Sequence, residues 1–142
     1  MSKIFYYLRA AFTYILSIVM YMLGGFDSGL TFLFLLVVFD VLSGVLCAVY
    51  GVSMKTESGY LSSSEVTRGV VKKVAIFLLV AVSTAVDRYL GVCEIRTVVV
   101  AFLCGGELLS ILENMGELCV KYPEKLKEMV EVLRGDRNGN NS

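Results

Sequence analysis

Apolar residues in this chain gather into four long runs, and within each run the polar residues recur at the spacing of one helix face. From Ile4 to Phe26, Arg9, Thr13, Ser17 and Gly24 share helical spacing, with Phe12, Ile15, Val19 and Met22 elsewhere around the cylinder. The pattern is an apolar yet amphipathic helix, which fits either a span or an interfacial placement. Gly24-Gly25 and Asp27-Ser28 break it. Residues 30–51 form the clearest span. At 1.5 Å per residue they cover about 33 Å, enough for a typical hydrocarbon core. Asp40 sits at the middle and shares a face with Gly44, Cys47 and Gly51, while Gly44 and Ala48 make a small-x-x-x-small pair that permits close helix approach.

Val52 to Arg68 reads as a serine-rich polar loop, and Ser62-x-x-Glu65 has the spacing of a capping box that opens the next helix. That helix covers residues 69–90. Lys72 and Lys73 stand near its start, Asp87-Arg88 close it, and Thr84 and Asp87 share a face with Val80 and Lys73. The last run, residues 95–118, is lipid-like from Thr97 to Cys104. Beyond that, Glu107, Ser110, Asn114 and Glu117 follow i, i+3, i+7 and i+10, a continuous polar stripe, with Glu113 in the same stretch. Ala101 and Gly105 form a second small-residue pair on a neighbouring face. Tyr122-Pro123 stops the helix, Glu124 to Leu133 has the period of a short amphipathic helix, and Gly135 to Ser142 reads as a frayed end.

These elements predict an all-α integral membrane protein with three to four transmembrane helices plus a short C-terminal amphipathic cytoplasmic helix. The membrane domain is expected over residues 1–120, with spans at 4–26, 30–51, 69–90 and 95–118, and the tail over 121–142. Cation placement gives the orientation. Lys55, Arg68, Lys72 and Lys73 flank the second loop, and Lys121, Lys125, Lys127, Arg134 and Arg137 crowd the tail, so both belong in the cytoplasm. Lys3 and Arg9 join them if the first run spans; if it lies on the surface, three spans leave the N-terminus outside. No small-x-small cleavage site before a soluble domain suggests a removable leader.

Composition sharpens this. Hydrophobic residues are 56% of the chain and charged residues 18%, against about a quarter charged in soluble domains. A formal net charge of zero argues against nucleic acid as a partner. Histidine is absent, which removes the commonest general base and metal ligand. Cys47, Cys93, Cys104 and Cys119 are far apart, without a C-x-x-C pair, and read as small hydrophobes. No phosphate loop, zinc-protease or nucleophile-elbow motif occurs, so neither an enzyme nor a cofactor or metal site is expected.

The informative residues are the ionisable ones inside apolar runs, because an acid in lipid costs kilocalories and usually marks an ion path, a pore or an interhelix contact. Asp40, Thr84, Asp87, Glu107, Ser110, Glu113 and Asn114 are the candidate pore-lining or interhelix polar residues. Gly44, Ala48, Ala101 and Gly105 are the candidate packing residues, and Arg68, Lys72 and Lys73 the interfacial cations. A packing role for Asp40, hydrogen-bonded to a neighbouring helix, stays open beside a lumen-facing one.

Asp40-x-x-x-Gly44, the serine-rich loop leading to Arg68-Gly69-x-x-Lys72-Lys73, then Asp87, Glu107-x-x-Ser110-Ile111-x-Glu113-Asn114, and Pro123 before Leu126 together resemble one family. It is the toxin secretion/phage lysis holin family, also called bacteriophage holin family 4, which includes clostridial toxin-export holins. The likeness runs from Thr31 to Leu133. It implies a homo-oligomer in the bacterial cytoplasmic membrane, multi-pass with a cytoplasmic C-terminus, whose lesions release an endolysin or a large signal-less toxin without requiring direct contact with that cargo. Two other readings remain: a small proton-coupled exporter, which also wants a mid-membrane acid, and a non-conducting scaffold that docks a partner through Lys121 to Leu133.

Overall fold

The computed structural model describes residues 2–53, 63–120, 123 and 125. The described residues form four helices and no strand: α1 (Ser2–Met22), α2 (Ser28–Val49), α3 (Ser63–Leu90) and α4 (Glu94–Glu117). Each contains a stretch long and apolar enough to cross a membrane, and the chain is an all-helical, multi-pass membrane protein. Ser62 of the expected capping box and nearly all of the expected tail helix, 124–133, lie outside the described residues.

All four helices stop by the same local device. After α1, Gly24 N–H bonds the Tyr21 carbonyl and Gly25 N–H the Met20 carbonyl, the paired bonds of a Schellman motif. Gly51 and Val52 repeat this on Ala48 and Cys47, and Cys119 and Val120 on Gly116 and Met115. After α3, Val92 N–H bonds the Asp87 carbonyl, with Gly91 as the turning residue. Gly24, Gly51 and Gly91 take positive φ at the turning position, where glycine has no Cβ to strain; Cys119 does the same at φ 56° with a side chain.

The chain divides into two compact units. The first, Met1–Leu35 with Arg68–Cys104, holds α1, the start of α2, most of α3 and the first half of α4. Its buried apolar residues are Leu23, Leu30, Leu33, Val80, Val100 and Cys104. Helix α1 is attached lightly: no residue from Lys3 to Met22 is buried within the chain. The second unit, Leu36–Thr67 with Gly105–Ser142, contains the later turns of α2 and α4. Leu36, Val37, Cys47 and Ala48 are buried there beside the polar Ser43, Glu107 and Asn114. Large apolar side chains lie exposed along all four helices, the surface expected where the surrounding solvent is hydrocarbon.

Candidate functional site

In the first unit the polar residues collect at the helix ends. Asp27 caps α2, its Oδ1 accepting Leu30 N–H at 2.8 Å, while Thr31 Oγ1 donates to the Asp27 carbonyl at 2.7 Å. Helix α4 takes its cap from the preceding helix. Asp87, only 6% exposed, accepts Ile95 N–H at 3.1 Å and Arg96 N–H at 3.0 Å, one on each carboxylate oxygen. The Gly91 turn brings α3 back far enough for this, and the acid then lies at the positive end of α4.

Two arginines close the cluster on α1. Arg88 Nη2 donates to the Tyr21 carbonyl at 2.6 Å, and the guanidinium lies 3.9 Å from the Tyr21 ring centroid. Arg96 Nε donates to the Leu23 carbonyl at 2.8 Å, and its Nη1 pairs with Asp27 Oδ2. Helix α1 has no basic residue in its own last turn; α3 and α4 supply the cations that its carbonyl end favours. The Arg96 guanidinium, followed by Leu30 N–H, holds the Asp27 carboxyl below the usual carboxylate range.

In the second unit the polar residues lie within the spans. Asn114 is 1% exposed, and its Nδ2 donates to Ser43 Oγ at 2.7 Å, to Asp40 Oδ1 at 3.2 Å and to the Asp40 carbonyl at 3.4 Å. Ser43 Oγ donates to that same Asp40 carbonyl at 3.0 Å, and Cys47 Sγ donates to the Asn114 carbonyl at 3.2 Å. One residue of α4 thus engages three polar positions of α2, Asp40 and Ser43 through its side-chain amide and Cys47 through its backbone carbonyl. Gly44 lies between them, and a Cβ built there would meet Asn114 Nδ2 at 3.7 Å, ordinary contact.

The expected site residues therefore divide. Asp40 and Asn114 meet directly, and Glu107 is buried in the same unit at 7% exposure, with Ser110 and Glu113 half-buried. Glu117, at the end of the stripe, has its Oε2 buried and without a hydrogen bond among the described residues. Thr84 is buried and returns its hydroxyl to the Val80 carbonyl of its own helix at 2.8 Å. Asp87 is an interhelix cap. Ala48 is buried, whereas Ala101 is exposed and a Cβ on Gly105 meets nothing within 4 Å. Arg68 and Lys72 are exposed and Lys73 is half-buried. Among the described residues no group of three or more Cys, Asp or Glu is placed to hold a metal ion.

Arg88, Arg96, Asp27 and Ser43 take part without being among the expected site residues. Asp27 and Ser43 carry faint signals, an acid three residues before Leu30 at a helix start and a hydroxyl three residues after Asp40. Arg96 had one too, since it follows Asp87 by nine positions across a glycine turn.

Comparison with known proteins places this architecture. The model of the bacteriophage holin family matches residues 17–135, most of the chain. The chain belongs to the bacteriophage holin family. Among its relatives is a protein of Bacillus phage phi105 named "Probable holin", 28% identical over 102 residues, covering 71% of this chain and 70% of that one. An uncharacterised 14.9 kDa protein of Clostridium perfringens, encoded in a nagH 3′ region, is 30% identical over 139 residues, 96% of this chain and 100% of that one. An uncharacterised protein of Listeria monocytogenes is 36% identical over 114 residues, 80% of this chain and 76% of its own. No solved structure matches. The resemblance read from Asp40, Gly44, Arg68, Lys72, Lys73, Glu107 and Asn114 thus agrees with the family match.

Proposed function

We propose that this protein is a holin that accumulates in the bacterial cytoplasmic membrane with its C-terminus inside, associates with copies of itself, and at a set time opens lesions that release an endolysin or a signal-less toxin. The observation that carries the proposal is the family match over residues 17–135 on a chain of four membrane-length helices. The buried polar residues support it. In the closed arrangement Asn114 engages Asp40 and Ser43 inside one subunit, so little of that polarity meets lipid. In the open arrangement Asp40, Glu107, Ser110, Glu113 and Asn114 line water, where their solvation is restored. Charges that cross part of the membrane potential in that conversion make opening voltage-sensitive, at about 2.3 kcal/mol per charge per 100 mV.

The test is induced expression beside a cytosolic endolysin lacking a signal sequence, with membrane potential and release of a cytosolic reporter followed together. A lag, then abrupt depolarisation and endolysin-dependent lysis, is the expected course. Stable accumulation with the barrier intact would reject the proposal. Proton-driven efflux without general leakage would point instead to an exporter.

A further inference from the structure

Within the first unit a cavity of about 440 Å³ opens among α1, α2 and α3. Its walls are Val19, Met20, Met22, Leu23 and Phe26 around the end of α1, Leu30 and Phe34 of α2, and Val74, Phe77, Leu78 and Ala81 of α3. Every lining side chain is apolar, and helical bonding occupies most backbone groups there.

One end of this groove is charged. On α3 the wall residues Val74 and Ala81 are seven positions apart, and seven more along the same face comes Arg88. Arg88 is exposed, about 10 Å beyond Ala81 along the helix. It also reaches the opposite wall, since its Nη2 bonds the carbonyl of Tyr21, which lies between the wall residues Met20 and Met22. Its cation therefore bridges α1 and α3 at the mouth, and among the described residues no carboxylate pairs with it.

We propose that this groove binds one acyl chain of an anionic phospholipid whose phosphate pairs with Arg88. Three features select this occupant. The groove is apolar along its length and lies within membrane-spanning helices, so hydrocarbon is its natural neighbour. An exposed cation without a carboxylate partner among the described residues stands at the Arg88 end, which matches a molecule with an anionic head and an apolar tail. At about 440 Å³ the groove falls in the range of sites that hold a small molecule. The bound chain replaces the packing that α1 lacks, and the lipid becomes part of how α1 is held.

The chain contains no tryptophan, so Phe77→Trp places a single fluorescent reporter in the groove wall. The variant is reconstituted in phosphatidylcholine vesicles carrying a low fraction of acyl-brominated phosphatidylglycerol or, separately, acyl-brominated phosphatidylcholine. Preferential quenching by the phosphatidylglycerol is expected, by about fivefold in apparent affinity for one arginine–phosphate attraction, weakening as salt rises. Adding Arg88→Gln removes the preference, Arg88→Lys keeps it, and Ala81→Leu, which narrows the groove, lowers quenching by both lipids. Equal quenching that follows bulk composition would overturn the proposal. So would protection from both lipids that grows with protein density, the sign of a second copy in the groove.

Discussion

Asn114 and Asp40 meet across α4 and α2, with the asparagine amide 3.2 Å from the carboxylate Oδ1. The contact joins a residue buried to 1% exposure to an acid half-buried near the middle of α2. An unmatched polar group in that setting has no water to turn to, so the pair specifies how the two helices face one another.

Removing the amide tests this. Asn114→Leu removes the amide that donates to Ser43 Oγ and Asp40 Oδ1 and is expected to cost about 1–3 kcal/mol. Ser43→Ala in the same background should cost less than it does alone, because the Asn114 bond is already gone and only the bond to the Asp40 carbonyl remains to be lost. Unfolding in mixed detergent, read as a double-mutant cycle, measures the coupling. Simple additivity of the two substitutions would deny that they act together.

Gly24 offers a controlled comparison with its neighbour. Both Gly24 and Gly25 have positive φ, but a Cβ on Gly24 falls 2.6 Å from Arg96 Nε, whereas one on Gly25 meets nothing within 4 Å. Alanine at either position incurs the backbone strain of about 1–2 kcal/mol. Only Gly24→Ala also displaces the guanidinium that holds Leu23 and Asp27. Its melting temperature in detergent should fall further than that of Gly25→Ala; equal losses would mean that Arg96 adapts freely.

Acid loosens the same turn. The Arg96 hydrogen bond and then Leu30 N–H depress the Asp27 pKa. A carboxylate so depressed adds stability that is complete above its unfolded value, near about 3.9, and is lost as pH falls through the lower folded value. The side chain is 48% exposed, so solvent screening keeps the effect small. Stability contributed by this group should be flat at neutral pH and decline below about pH 4, and Asp27→Asn should flatten that decline. The same acid loss in both proteins would assign it to another group.

The two small-residue pairs make opposite predictions. Ala48 is buried at 5% exposure, and Ala48→Leu should overpack the second unit by about 1–3 kcal/mol. Ala101 is exposed, so Ala101→Leu should leave subunit stability unchanged and act only on association between copies. Thermal melts paired with chemical cross-linking in membranes separate the effects. A destabilised Ala101→Leu subunit would show that this face is already covered.

Native cysteines report orientation. Cys93, just before α4, and Cys119, just after it, are exposed, while Cys47 and Cys104 are buried. With the C-terminus inside, a membrane-impermeant maleimide added to intact cells labels Cys93 and spares Cys119. The reverse pattern would invert the proposed topology.

The helices were legible because charged and small residues interrupt otherwise apolar runs at a helical period. Asp40 and the stripe through Glu107 and Asn114 stood out for that reason. Their pairing did not, since nothing local to α2 or α4 says that Asn114 reaches Asp40 and Ser43, 74 and 71 positions away. Arg96 carried no more than its spacing from Asp87 across the glycine turn. An arginine at a helix start resembles an ordinary interfacial anchor; its work depends on the Gly91 turn, the Asp87 cap and the approach of α1, which no single segment encodes. Thr84 shows the converse: its place on a polar face was visible, but its hydroxyl is satisfied within its own helix.

The shared way in which the helices stop has a consequence for the membrane they enter. Each C-terminal end is closed by its own backbone turn, and α2 and α4 begin at the Asp27 and Asp87 caps, so where these helices stop is written into the chain and does not adjust to the lipid. A thinner or thicker bilayer must therefore be met by tilt or by deforming the lipid around the protein. The chain carries its own ruler, and membrane thickness becomes a variable that the bundle feels as a change in angle.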